Sequence, residues 1–430
     1  MPFRITPPLV LVLVFAAAGT AGLFLTDTSG AKGDPGVIKI VSSLPRSGSA
    51  RGQTDTIVKG LKLALHEVDH RITLADGVTY RLEYLDLDDA TAAAGQWTIE
   101  QEITNATVAR SDPDVMVYVG TYNSGAARVS MPILNRAGVL MVSPANTAES
   151  LTKPGTGERH EPDCYRPARN PDGSPKLNYV RVVPTDDLQS ELSVRYIIDD
   201  LKATSIYILD DNEVYGKGIA DNVHKLCEKQ GVTVLGHESI NFKAQEFSAQ
   251  AIKIKNTNGG RGPDVVYFGG TTQTKAGQVL KDLAAAGYRK PMMGPDGCHE
   301  QAMAKSADAA TFDQVPFYAT FGGPTVDGLK AAGGRGAEFV RLYNAMYGGD
   351  PEDSYAAYGY ECGLVVLEAL RVGGAKDRDA IRRAGVGLKN FPGASGTFSF
   401  DENGDTTNRT MTVSTVKDNK LVFVKSLLKK

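Results

Sequence analysis

Asp114-Val-Met-Val-Tyr-Val-Gly120 runs straight into Thr121-Tyr-Asn-Ser-Gly125, and this stretch decides the fold. Five apolar residues in a row, three of them valine, show no polar alternation. That pattern suits a strand covered on both faces, as in a parallel sheet. Small polar residues follow at once, and a helix begins near Ser124. The same grammar recurs in Val139–Ser143, which leads into Pro144-Ala-Asn-Thr147, and in Ser205-Ile-Tyr-Ile-Leu-Asp210. Working outward, Val37–Leu44, Thr79–Leu87, Tyr179–Val183, Val232–Glu238 and Asp264–Gly269 also read as strands. Amphipathic stretches separate them, including Thr54–Ile72 and Thr91–Ala109. Strand, crossover and strand in repetition predict an α/β layered fold with parallel sheets.

A gap at Lys153–Lys176, rich in Pro, Gly, Asp and Arg, interrupts the rhythm and reads as a surface loop or insertion. Two α/β units of about five strands each flank it. Helices at Arg335–Met346 and Tyr355–Val372 follow, and then strands at Gly396–Phe400, Thr410–Val416 and Leu421–Val424. The late strands are joined by turns at Asp401–Asp405 and Asp418–Asn419, so they are antiparallel and finish an edge.

Arg4 precedes an uncharged run from Ile5 to Leu25 with small residues at its end. Residues 1–31 therefore read as a signal peptide, or as an anchor spanning residues 7–25, which places the remainder outside the cytoplasm. Forty-seven basic against 50 acidic residues give a net charge of -3, which supplies no phosphate-neutralising excess and excludes nucleic acid as an expected partner. Cys164, Cys227, Cys298 and Cys362 form no C-x-x-C pair, so a zinc ribbon or thioredoxin motif is absent. One or two disulfides stay open, without a readable pairing.

His66-Glu67-Val68-Asp69-His70 fits H-E-x-x-H, the zinc-peptidase pattern. On a helical wheel Ile57, Leu61, Ala64, Leu65, Val68 and Ile72 share one sector of about 100°, while both histidines fall on the opposite, solvent-facing side. Glu100 or Glu102 would have to supply a third ligand, and nothing selects either. The solvated-face reading outweighs the metal reading. Asp86, Asp88 and Asp89 end a strand and read as a polar turn. Asp401-Glu-Asn-Gly-Asp405 has its glycine at the wrong place for a calcium loop and reads as a tight turn.

The strand-end loops are where α/β sheets hold ligands. Asn123 or Ser124 caps a helix, and open backbone N–H groups plus hydroxyls suit a carboxylate. In the second unit Asp211–Gly216, Gly269–Thr272 and Gly294–Gly297 occupy equivalent positions. Asp296 can meet a cationic group and Tyr215 can cover an apolar one.

Eight strings, in order and at matching spacing, carry a resemblance. They start Ile38-Lys-Ile-Val-Ser-Ser-Leu-Pro, Val117-Tyr-Val-Gly-Thr-Tyr-Asn-Ser, Gly138-Val-Leu-Met-Val-Ser-Pro-Ala-Asn-Thr and Tyr179-Val-Arg-Val-Val-Pro-Thr-Asp-Asp-Leu-Gln. They continue with Asp210-Asp-Asn-Glu-Val-Tyr-Gly, Val266-Tyr-Phe-Gly-Gly, Met293-Gly-Pro-Asp-Gly and Phe400-Asp-Glu-Asn-Gly-Asp. From residue 37 onward the chain resembles the type I periplasmic solute-binding proteins of the leucine/isoleucine/valine-binding family, which serve branched-chain amino acid ABC transporters.

The resemblance implies two Rossmann-like lobes joined by a three-segment hinge, with crossings near Pro184, Phe321 and residue 393. Lobe 1 would hold 32–184 plus 321–392, and lobe 2 would hold 185–320 plus 393–430. Ligand lies between the lobes, which close by hinge motion. It further implies that Asn123, Ser124 and Thr147 hold an amino acid's carboxylate, with backbone from Ala145 beside Asn146. Asp296 would meet the ammonium, Tyr215 would close from lobe 2, and Tyr355 would line the side-chain pocket. Arg51 and Thr271 stand where the family often has aromatics. Less apolar cover and an added cation turn the expectation toward a polar, acidic or amide-bearing ligand.

The expected function is therefore a monomeric, extracytoplasmic solute-binding protein without cofactor or catalysis. It would capture an amino acid or related small molecule for the membrane permease of an ABC importer. A membrane-tethered ligand sensor and a zinc peptidase built on His66, Glu67 and His70 are the rival readings.

Overall fold

The apolar runs become the centres of two sheets in the computed structural model, which describes residues 36–428. The signal or anchor expected at residues 1–31 lies outside the described residues. Among the described residues no helix is long and apolar enough to cross a membrane.

In the first sheet the strands run Arg71–Thr73, Thr79–Asp88, Val37–Leu44, Val115–Gly120, Leu140–Ser143, Tyr179–Arg181. Only the pairing of Arg71–Thr73 is antiparallel. The second sheet runs Thr233–Ser239, Ser205–Asp210, Val265–Gly269, Met292–Gly294, Phe317–Gly322, Thr410–Lys417, Lys420–Leu428. Its last two strands are antiparallel and form an edge, as expected from the turns between them. Val115–Gly120, Ser205–Asp210 and Val265–Gly269 are buried at every residue, which is why they lack alternation. The result is the two-lobe α/β architecture.

Two boundaries differ from the expectation. The helix read as Thr54–Ile72 spans Arg51–His66, and the chain then turns through Asp69 and His70 at positive φ into an edge strand. The stretch read as a helix from Thr91 opens instead with a small hairpin, Ala90–Thr91 against Gln96–Trp97, and the helix occupies Ile99–Ser111 with Thr98 as its cap.

The wheel also understated the burial of Arg51–His66, because this helix lies against Tyr355–Gly373 almost backbone to backbone. A Cβ on Gly60 would lie 2.0 Å from the Ala356 carbonyl oxygen, and one on Gly359 1.9 Å from that of Ile57. Glycine is what lets these two helices touch.

Three segments pass between the sheets side by side. The first follows Arg181 and carries Pro184, which sits against Gly322 of the second. In the second, Gly323 N–H donates to the Thr410 carbonyl at 2.7 Å, which joins it to the third. This third crossing lies later than residue 393. Phe391, Ala394, Phe398 and Phe400 stay in the core of the first lobe, because a hairpin Phe391–Gly393/Gly396–Phe398 folds back onto it. Asp405 is then pinned to the first lobe by Arg181, with Nε to Oδ1 at 2.6 Å and both side chains buried. The turn Asp401–Asp405 is the tight turn expected, with the Asp401 carboxylate accepting from Asn403 and Asp405 N–H.

The insertion Lys153–Lys176 has little regular structure, yet it is tied down. Arg166 donates to the carbonyls of Thr152 and Asn403, and Arg128 pairs with Glu161. All four cysteines are free thiols.

Candidate ligand-binding site

Parallel registry sets the site. Val117↔Leu140, Tyr118↔Met141 and Val119↔Val142 place Gly120 beside Ser143, so the two following loops leave the sheet together. Ser143 Oγ accepts from Asn146 N–H at 2.9 Å and donates to the Thr121 carbonyl. Asn146 then clamps the loops to each other. Its Nδ2 donates to Tyr122 O (3.0 Å) and Thr121 Oγ1 (3.2 Å), while its Oδ1 accepts from Thr121 N–H and Tyr179 Oη. This fixes the start of the helix Ser124–Arg136, whose first N–H groups have no intrahelical acceptor.

The strand ends of the second sheet face these loops. A cavity lies between them, lined by Tyr122, Asn123, Ser124, Ala145 and Tyr355 of the first lobe and Tyr215, Thr271, Asp296 and Gly297 of the second. A mouth continues from it, reaching Ser49, Trp97, Glu213 and Gln273.

Asp296 is the most heavily bonded group in the cavity. Oδ1 accepts from Gln189 Nε2 at 2.7 Å and Tyr215 Oη at 2.5 Å, and Oδ2 accepts from Tyr355 Oη. A carboxylate offers about four lone-pair positions, so one is left for a ligand donor. Gln189 Oε1 accepts from Asp296 N–H and Thr320, which fixes the acid's backbone as well. Burial, then the neighbouring Asp296, pushes the Asp186 carboxyl well above the ordinary range. Burial likewise raises Tyr122, Tyr215 and Tyr355, which remain phenols and donors.

Of the ten expected residues, Asn123, Ser124, Ala145, Tyr215, Thr271, Asp296 and Tyr355 come together on this cavity. Thr147 lines a smaller adjoining pocket beside Pro184 and Phe321, with its buried Oγ1 lacking a hydrogen-bond partner. Asn146 lies behind the wall as the clamp described above. Arg51 is not brought in: its side chain is 66% exposed and pairs with Asp55 one turn along the helix. The added cation that suggested an acidic ligand is thus absent from the cavity wall.

Sequence reasoning missed Tyr122, Gln189 and Trp97. Tyr122 immediately precedes the expected pair Asn123 and Ser124, and its hydroxyl donates to Gln53 across the lobe. Trp97 comes from the hairpin that had been read as helix, and it covers Gly125, where a Cβ would lie 2.7 Å from the indole. Its signal was its being the single tryptophan, which says nothing about direction.

The H-E-x-x-H geometry is not formed. The helix ends at His66, His70 lies in a left-handed turn, and both are exposed. Glu67 accepts from Arg335 at 2.8 Å and from Tyr360, so it ties helices together. Glu102 points inward instead, accepting from Ser43 and Tyr118. Among the described residues no cluster of His, Cys, Asp and Glu could hold a metal.

Comparison with known proteins agrees with this architecture. The Leu/Ile/Val-binding protein BraC3 of Rhizobium johnstonii is 24% identical over 379 residues, 88% of this chain and 91% of that one. The leucine-, isoleucine-, valine-, threonine-, and alanine-binding protein of Pseudomonas aeruginosa is 25% identical over 387 residues, 87% and 89% of the two chains. The crystal structure of LivJ from Streptococcus pneumoniae in complex with isoleucine superposes with a TM-score of 0.74 at 23% identity, covering 91% of this chain and all of that one. A family model for periplasmic binding proteins matches residues 37–420, and the chain belongs to that family.

Proposed function

We propose that this protein is an extracytoplasmic substrate-binding protein that captures an amino acid between its lobes and delivers it to the permease of an ABC importer. One observation carries the reading. Ser124, the first residue of the helix Ser124–Arg136, and the acid Asp296 line the same cavity from opposite lobes. The first suits a carboxylate and the second an ammonium, so a zwitterion bridges the lobes. Each end gains only when the other lobe is in place, and that differential affinity is what drives closure. The relatives named above bind branched-chain and small amino acids, which fits the same arrangement. The lobes are proposed to divide at the three crossings, which act as the hinge.

The test is a thermal-shift panel of amino acids, amides and small acids, followed by solution scattering on any hit. At least one amino acid is expected to raise the unfolding midpoint and shrink the radius of gyration. A panel in which no amino acid does either contradicts the reading.

A further inference from the structure

The mouth of the cavity differs in chemistry from an aliphatic pocket. The charged residues on its wall are Asp211 and Glu213, and no Lys, Arg or His lines either the mouth or the inner cavity. Asp211 is spent: its oxygens accept from Glu213 N–H at 3.0 Å and Thr274 Oγ1 at 2.8 Å. The Glu213 side chain accepts no hydrogen bond from the described residues; burial raises its pKa and the field of Lys243 opposes that shift. Gln273 adds an uncommitted acceptor. Its Nε2 is committed to Glu300 at 2.7 Å, leaving Oε1 buried and unpaired. Opposite these, Trp97 presents its indole from the first lobe.

An unpaired acid, an uncommitted amide oxygen and an indole lining one mouth form a receptor for a cation rather than for a methyl group or an anion. Resting on the amino-acid reading above, we infer that the ligand is an α-amino acid whose side chain ends in an ammonium or guanidinium group. The α-carboxylate and α-ammonium take the inner cavity, and the side-chain cation lies between Trp97 and Glu213. An acidic side chain would meet like charge there, and an aliphatic one would leave Glu213 and Gln273 desolvated without a donor.

Calorimetry with arginine, lysine, leucine and glutamate, on wild type and on Glu213→Gln, tests this. The apo unfolding midpoint of the variant is checked first to confirm that it folds. A basic amino acid is expected to bind at least about tenfold more tightly than leucine, and glutamate more weakly than leucine. Glu213→Gln should weaken the basic ligand about tenfold or more while leaving leucine as tight or tighter. Leucine or glutamate binding more tightly than both basic amino acids overturns the inference and leaves the amino-acid reading standing. So does a Glu213→Gln variant that weakens leucine and the basic ligands alike. Failure of all four ligands overturns the inference, and the wider panel then decides whether the amino-acid reading falls with it. A misfolded Glu213→Gln is replaced by Trp97→Leu, judged by the same two ratios.

Discussion

The Tyr355 hydroxyl, on the first lobe, donates to Oδ2 of Asp296 on the second. The acid proposed to meet the ligand's ammonium is therefore also held by the opposite lobe. Tyr355 packs against Tyr122, Phe321 and Tyr358, so its ring position does not depend on that bond. Tyr355→Phe keeps the ring and removes the latch. A hydrogen bond to a charged group contributes about 1.5–3 kcal/mol. The variant should show a larger apo radius of gyration by solution scattering and weaker amino-acid binding. An unchanged radius and affinity would mean the bond does not hold the lobes together.

Arg181 and Asp405 make a second prediction, for stability. The guanidinium is fully buried and also donates to the carbonyls of Asn146 and Ala148, so it supports the clamp loop and the third crossing together. Removing one partner strands a buried charge, which costs about 3–5 kcal/mol. Asp405→Ala should lower the unfolding free energy, read from urea denaturation, by that much. A loss below about 1 kcal/mol would show that water reaches Arg181 and replaces the carboxylate.

Stability should fall as pH rises from about 5 to 8. Burial lifts Glu361, Glu102, Asp211 and Asp353 to about 7 and Glu300 to about 8. Each of these raised groups keeps a proton in the folded state that the unfolded chain releases above its ordinary carboxyl pKa. Their stabilisation is present below that pKa and is lost as pH climbs through the raised one. His299 works the other way, since burial lowers it to about 4, but it is one group against five. Glu361 lies fully buried against Ala394 N–H and Ser395. Its share is about 3 kcal/mol between pH 4.5 and 7, so Glu361→Gln should flatten the profile. Urea midpoints at four pH values check this, and a midpoint rising toward pH 8 contradicts it.

Glu67 separates a structural role from the peptidase motif. Glu67→Ala removes the acceptor of Tyr360 and a partly exposed partner of Arg335, for a cost of about 1–2 kcal/mol. A chelator should leave the unfolding midpoint of the wild type unchanged. Stoichiometric zinc by elemental analysis would contradict both expectations.

The fold was legible wherever a strand is buried on both faces, because Val115–Gly120 and Ser205–Asp210 carry no polar interruption to confuse the period. It was least legible where local propensity and tertiary structure disagree. Ala92-Ala-Ala-Gly95 favours helix by composition, yet it forms the turn of the hairpin that delivers Trp97. The third crossing was misplaced because Phe398 and Phe400 could have packed on either lobe. The cavity loops were readable as strand ends followed by small polar residues. The direction of Arg51 was not, because a residue in the first turn of a helix faces solvent or cleft according to a rotation that the sequence leaves open. Gln189 lies far from Asp296 along the chain, and only the packing of its helix, Asp186–Asp199, against the second sheet joins them.

The central claim is that a zwitterionic amino acid is gripped across the cavity, with Asp296 as the counter-charge of its ammonium. The most direct measurement is titration calorimetry of the preferred amino acid against wild type and Asp296→Ala. Loss of the acid should cost about 2–5 kcal/mol of binding free energy, the range for a charge left buried without its partner. An Asp296→Ala variant that folds and binds with wild-type affinity would contradict the account.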